Sequence, residues 1–127
     1  MVIIRLLLLL YLLSCSAIAV DHTDFIKNID NKNWAEAKNN NPELKTLATW
    51  LELYNETNPN FYQLKDFIKK HPNWPKISTL KKKIEESDFV DVKNADILAW
   101  FTANPPITIN GKKKYLALLE DGKLQTR

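Results

Sequence analysis

The segment Phe67-Ile68-Lys69-Lys70-His71-Pro72-Asn73-Trp74-Pro75 constrains the fold more than any other stretch of the chain. An apolar helix face ends at Phe67 and Ile68, and two prolines then bracket a large aromatic. Pro72 has no N–H to donate and biases His71 away from the α region, so the helix must stop there. Pro75 suits the first turn of a following helix, where a missing N–H costs nothing. Trp74, held between the prolines, is expected to fill the angle of a helix–corner–helix joint.

The flanking sequence reads as more of the same. From Asp21 onward there are only two glycines, Gly111 and Gly122, and apolar residues recur at helical spacing. Thr23 can cap a short helix with Phe25, Ile26 and Ile29 inward, and Asn33 can cap the next, with Trp34, Ala35 and Ala37. A third helix is expected from about Glu43 to Tyr54, its stripe formed by Leu44, Leu47, Ala48, Leu51 and Tyr54 and widened by Trp50. Asn60 and Gln63 resemble a capping box before Phe61, Leu64, Phe67 and Ile68. Beyond the proline corner, Ile77, Leu80 and Ile84 define a fifth helix whose exposed side carries Lys81, Lys82 and Lys83. Asn94 or Asp96 can cap a sixth, with Ile97, Leu98, Trp100 and Phe101, and Asn104-Pro105-Pro106 stops it. Thr108 can cap a seventh, with Tyr115, Leu116, Leu118 and Leu119, ending at Gly122 as a C′ residue. No stretch shows sustained two-residue alternation. The expected class is all-α: short helical hairpins stacked as an irregular α-solenoid, without a fixed repeat period. The last helix reads as a solenoid end without a polar cap.

The N-terminus reads separately. Arg5 precedes an unbroken apolar run from Leu6 to Leu13, followed by Ser14-Cys15-Ser16-Ala17-Ile18-Ala19. That order is a secretory signal peptide, and the run is too short for a membrane span, which needs roughly 20 residues. Residues 1–19 are therefore expected to be removed at Ala17-Ile18-Ala19, leaving 20–127 as the helical region in the periplasm. Leu12-Leu13-Ser14-Cys15 also resembles a lipobox, which would make Cys15 the lipidated first residue of an outer-membrane lipoprotein. Cys15 is the only cysteine, so a chain beginning at Val20 has neither disulfides nor a thiol site.

The formal charge of +3 falls to +2 once Arg5 leaves with the signal, too little to imply a nucleic-acid partner. Lys81-Lys82-Lys83 and Lys112-Lys113-Lys114 read as solvated helix faces. His22 and His71 lie far apart with no cysteine partner, so no metal site is expected, and nothing implies a cofactor. Two glycines cannot build a phosphate loop. Trp34, Trp50, Trp74 and Trp100 sit in or beside apolar stripes and read as core rather than as sugar-stacking platforms.

Several of these segments occur in an order that carries a family resemblance. Trp34-x-x-Ala37 is followed by Leu47-Ala48-Thr49-Trp50-Leu51, by Phe67-Ile68 with His71-Pro72-x-Trp74-Pro75, and by the Leu80-Lys81-Lys82-Lys83 helix. Ala99-Trp100-Phe101-x-x-x-Pro105-Pro106-x-Thr108 comes next, then Gly111, Tyr115, Leu118-Leu119 and Gly122. The succession resembles the N-terminal superhelix of bacterial soluble lytic murein transglycosylases, especially the shorter alphaproteobacterial type. The resemblance implies an exported protein whose partner is peptidoglycan or a cell-wall protein. It also implies an ancestry in enzymes that cleave between N-acetylmuramic acid and N-acetylglucosamine, leaving a 1,6-anhydro end. In that family one glutamate, within Glu-Ser-x-Phe and followed by Gly-Leu-Met-Gln, acts as general acid and then base in a separate lysozyme-like domain.

Glu86-Ser87-Asp88-Phe89 repeats the first of those motifs, but nothing like Gly-Leu-Met-Gln follows and the only methionine is Met1. Glu86 is expected to be a solvated helix-end carboxylate, and no catalytic, ligand-binding or metal residue is assigned. The leading expectation is a non-catalytic superhelix fragment from a truncated or split gene. A free-standing periplasmic helical-repeat adaptor that binds protein is the alternative, and an enzyme using Glu86 a third.

Overall fold

The structure, a computed structural model, describes residues 22–125. The signal peptide over 1–19, the lipobox at Cys15 and the new terminus at Val20 lie outside the described residues. Those residues form seven α-helices, with no strand among them: α1 (Thr23–Asp30), α2 (Trp34–Asn40), α3 (Lys45–Asn55), α4 (Phe61–Lys70), α5 (Ile77–Glu86), α6 (Asn94–Ala103) and α7 (Ile109–Gln125). A 3₁₀ turn, Pro42–Leu44, leads into α3. The chain is thus an all-α stack of short helices, and no helix among the described residues is long and apolar enough to cross a membrane.

Two apolar clusters hold the stack together. The smaller joins Phe25 of α1, Ala37 of α2 and Ala48 of α3, with Ile29, Leu44 and Leu47 against them. The larger gathers Leu53, Phe61, Leu64, Phe67, Ile68, Leu80, Ile84, Ile97, Trp100 and Phe101 from α3 through α6. Helix α3 belongs to both. Ala48 and Leu53 are five residues apart, which places them about 140° apart around a helix, so α3 buries two faces. A single-stripe reading therefore misses Leu53, which is among the most completely buried side chains. Helix α5 is the other hub, packing against α3, α4 and α7.

The corner after α4 forms at the expected place with one change. The N–H of Trp74 bonds the carbonyl of His71, closing a turn with Pro72 inside it. The half-buried Trp74 ring packs against Phe67, His71 and Trp50 at centroid separations of 5.7, 5.6 and 6.3 Å. Pro75, however, is not in the first turn of α5. Lys76 takes the left-handed region at φ 58° and the helix starts only at Ile77. The freed Pro75 carbonyl instead accepts the Trp50 indole N–H at 2.9 Å, tying α3 to the corner.

Other expectations divide by how local their physics is. Asn60 caps α4, its side-chain oxygen accepting from Tyr62 N and Gln63 N. All four apolar residues predicted for that helix are buried. Asn33 precedes α2 but makes no side-chain cap bond, and α1 begins at Thr23 behind His22. Ile26, expected inward, is 58 % exposed. Neither Asn94 nor Asp96 caps α6: Lys93 holds that position, and Asp96 accepts the Tyr62 hydroxyl. The seventh helix runs through Gly122 to Gln125 instead of ending there, and Leu116 and Leu119 face outward. Three turns use left-handed non-glycine residues, Lys32, Lys76 and Asp91. Each such residue costs about 1 kcal/mol, which helical packing on both sides offsets.

Candidate functional site

The tetrapeptide Glu86-Ser87-Asp88-Phe89 closes α5. Glu86 is exposed beside a shallow groove with Thr57, Asn58, Lys83, Ser87 and Asp88. Ser87 donates its hydroxyl to Ile84 O, one turn back. Phe89 lies edge-on to Phe61 and Phe101. The four residues are a helix end, and their functional groups do not converge.

The carboxylate with an unusual environment is its neighbour. Glu85 is 2 % exposed, the buried charged side chain among the described residues. Its Oε1 accepts from Ile107 N at 2.8 Å, and its Oε2 accepts from both Thr108 N and Thr108 Oγ1 at 2.6 Å. The Thr108 hydroxyl in turn accepts from Gly111 N at 2.9 Å. In a capping box the N-cap threonine accepts from the N3 amide, while a glutamate at N3 reaches back to the N-cap N–H. Here Thr108 is the N-cap and Gly111 the N3 residue. The glycine has no side chain, and Glu85 of α5 supplies the missing carboxylate from across the stack.

Space as well as hydrogen bonding selects that glycine. A Cβ on Gly111 would stand 2.3 Å from Glu85 Oε2 and 2.6 Å from its Cδ. Gly111 has ordinary helical φ, so its role is close approach and not a special backbone angle. The negative charge lies where the α7 dipole is positive, which lowers the cost of burying it.

Two lysines perform the complementary task at helix C-termini. Lys83 donates to Leu53 O at 3.1 Å, to Glu56 O at 2.7 Å and to Tyr54 O, closing the end of α3. Lys114 donates to Glu85 O at 2.8 Å and Ser87 O at 2.6 Å, closing α5, and lies over the Phe89 ring. Each is the last member of a lysine triplet expected to be solvated. The expectation fails for Lys83 and Lys114 because a long stem lets a helix-face lysine reach a neighbour's carbonyls. Burial pushes both ammonium groups below their ordinary pKa; Glu56 opposes this at Lys83, and Asp88, Glu86 and Glu85 oppose it at Lys114. Glu85, Lys83 and Lys114 thus form an electrostatic lock joining α3, α5 and α7.

His71 and three of the tryptophans, Trp50, Trp74 and Trp100, fall into the packing. His71 stands 4.7 Å from the Phe67 centroid. Among the described residues no three His, Cys, Asp or Glu side chains gather where they could hold a metal. Trp100 is buried, Trp50 stacks on Tyr54, and Trp34 donates its indole N–H to Glu56 Oε1 at 3.0 Å.

Two larger surface grooves flank α4. One, of about 340 Å³ between α2, α3 and α4, is lined mostly by polar residues, among them Thr46, Thr49, Gln63, Asp66, Lys70 and His71. The Lys38–Glu52 ion pair, 2.7 Å long, forms one wall. The other, of about 480 Å³, opens between α4, α5 and α6 over Ile68, Ile77 and Trp100. Neither groove was legible in the sequence, because each is assembled from side chains on helices that meet only in the fold. Comparison with protein-family models, with curated proteins and with solved structures returned no match for this chain.

Proposed function

We propose that the chain is the helical region of an exported cell-wall protein, related to the superhelix of soluble lytic murein transglycosylases. On this reading it contacts peptidoglycan and does not itself cleave it. One observation supports the reading: two of the segments behind the resemblance serve as joints. The His71-Pro72-x-Trp74-Pro75 stretch is spent on the α4–α5 corner, and Pro105-Pro106-x-Thr108 delivers Thr108 to Glu85 at the start of α7. Motifs that build joints are what a scaffold would keep. The polar groove beside the first joint offers amide, hydroxyl, carboxylate and ammonium groups suited to sugar hydroxyls and muramic carboxylates.

The test is co-sedimentation of the purified chain with sacculi, together with analysis of released muropeptides. The reading expects retention that weakens in the Gln63→Ala, Asp66→Asn double variant, with no anhydro-muropeptides formed. Absence of retention would end it, and anhydro products lost in Glu86→Gln would restore an enzyme. Export is tested by fractionation and mass spectrometry of the mature N-terminus, which separates a chain starting at Val20 from one lipidated at Cys15.

A second reading, a protein-binding adaptor, is favoured by the outward apolar residues of α7. Ile109 is 73 % exposed and Leu116 59 %, with Leu119 and the preceding Ile107 also outward. Co-purification of one protein partner, lost in Leu116→Glu, would support it.

A further inference from the structure

The groove between α4, α5 and α6 has a composition unlike the polar one. Its floor is apolar, made by Ile68, Ile77 and Trp100, and Ala99 and Ala103 keep the α6 wall low. Ile68 and Trp100 are buried in the main core and Ile77 packs on it, so the floor is fixed by the fold. The rim is cationic. Lys65 and Lys69 stand one helical turn apart on α4, and Lys81 faces them from α5. No aspartate or glutamate is among the lining residues. The ion pair found among the described residues, Lys38–Glu52, lies on α2 and α3, so none of the three rim lysines has a carboxylate partner among those residues.

Each half of this site is unselective alone. Exposed lysines are well solvated and hold small anions weakly, and an apolar groove accepts any hydrophobe. Together they favour one molecule that carries an anion at the end of an apolar chain. The volume lies within the range of small-molecule sites, roughly 300–1,000 Å³. Lys65 and Lys69 lie about 6 Å apart along α4, and Pro72 carries that wall on past the helix end at Lys70, which leaves room for a single medium-length chain.

We infer that this groove binds a single-chain fatty-acid carboxylate, its chain along Ile68, Ile77 and Trp100 and its head among Lys65, Lys69 and Lys81. The carboxylate supplies the counter-charge the rim lacks, and the chain covers half-buried Ile77 and exposed Ala99 and Ala103 above the buried floor. The inference is independent of any glycan contact, because the two grooves share α4 but no lining residue.

The probe is bromoundecanoate with the bromine on its terminal carbon, titrated below its micellar concentration into the full chain. Bromine quenches tryptophan fluorescence on contact, so a chain lying over Trp100 reports itself. The expected result is saturable quenching at one equivalent, lost in Trp100→Phe. Affinity should fall at least tenfold in Lys65→Glu/Lys69→Glu, and not in Lys113→Glu on α7. The trimethylammonium analogue of the same chain length should quench at least tenfold more weakly. The Lys65→Glu/Lys69→Glu variant also discounts the apolar Leu6–Leu13 run with its flanking Arg5, which it leaves unchanged. Circular dichroism confirms that each variant is folded, and Ala103→Trp, which fills the groove, provides a second loss of binding. Equal binding of both analogues, unchanged binding in the lysine variant, or no saturable quenching would each overturn the inference. Protection of the groove lysines by soluble muropeptides in place of the carboxylate would assign the groove to a cell-wall ligand, and also overturn it.

Discussion

Glu85 of α5 accepts both the backbone N–H and the hydroxyl of Thr108, each at 2.6 Å, and so completes from another helix the capping box that starts α7. The two residues are 23 positions apart, yet their geometry is that of a local motif. A buried carboxylate would ordinarily be a functional suspect. This one has its oxygens filled by three donors and its charge at a helix N-terminus, which identifies it as a structural anion.

Gly111→Ala should destabilise the chain even though alanine is the better helix former. The new methyl would displace the Glu85 carboxylate and its charge-assisted hydrogen bonds. Their loss outweighs the about 1 kcal/mol gained in propensity, for a net loss of about 2 kcal/mol. In a Glu85→Ala background the same substitution should become neutral or stabilising. Urea denaturation of the four proteins of this cycle measures the coupling, and additive effects would refute the steric account.

The neighbouring carboxylates should behave oppositely. Glu85→Gln turns an amide NH₂ toward donors and should cost about 2 kcal/mol, whereas exposed Glu86→Gln should stay within about 0.5 kcal/mol. Thermal unfolding by circular dichroism distinguishes them. Equal effects would mean that the burial difference does not govern stability at this helix end.

Lys83→Met keeps the stem and removes the cation from three carbonyls, with an expected loss of about 1 kcal/mol at neutral pH.

Lys83 and Lys114 give a pH signature. Burial lowers their pKa in the folded chain below 10.5, so in the window just under 10.5 the unfolded chain holds more protons. Stability should therefore rise as pH climbs through that window. The rise should shrink in Lys83→Met and again in Lys83→Met/Lys114→Met. Tyr62 works the other way. Its hydrogen bond to Asp96 raises its pKa above 10.0, so its contribution is present below 10.0 and lost as pH rises through the folded value. Denaturation curves recorded in a Tyr62→Phe background isolate the lysine effect.

Trp74→Ala should open the corner. The ring is half-buried against Phe67, His71 and Trp50, and its loss should cost about 2 kcal/mol, below the range for a fully buried tryptophan. A conservative Trp74→Phe should recover about half. Chemical denaturation gives both numbers, and a neutral Trp74→Ala would contradict a packed joint.

What the sequence determined by itself was whatever depends on neighbours along the chain. Helical spacing and the scarcity of glycine placed seven helices, and the missing N–H of Pro72 placed the stop after α4. The Asn60 cap and the Thr108 cap were equally legible, since each bonds amides two or three residues away. Tertiary structure decided whatever depends on partners from elsewhere. Periodicity gives the direction of a strong apolar face but cannot say that α3 is covered on two sides, so Leu53 was missed. Pro75 fitted a helix start, yet the carbonyl it presents to Trp50 was worth more outside the helix. Most of all, charged side chains on a helix face look alike in sequence. Glu85, Lys83 and Lys114 differ from Glu86, Lys82 and Lys113 only in what lies across from them. A buried charge is stable only where distant backbone groups satisfy it, and their position is set by the packing of α3, α5 and α7.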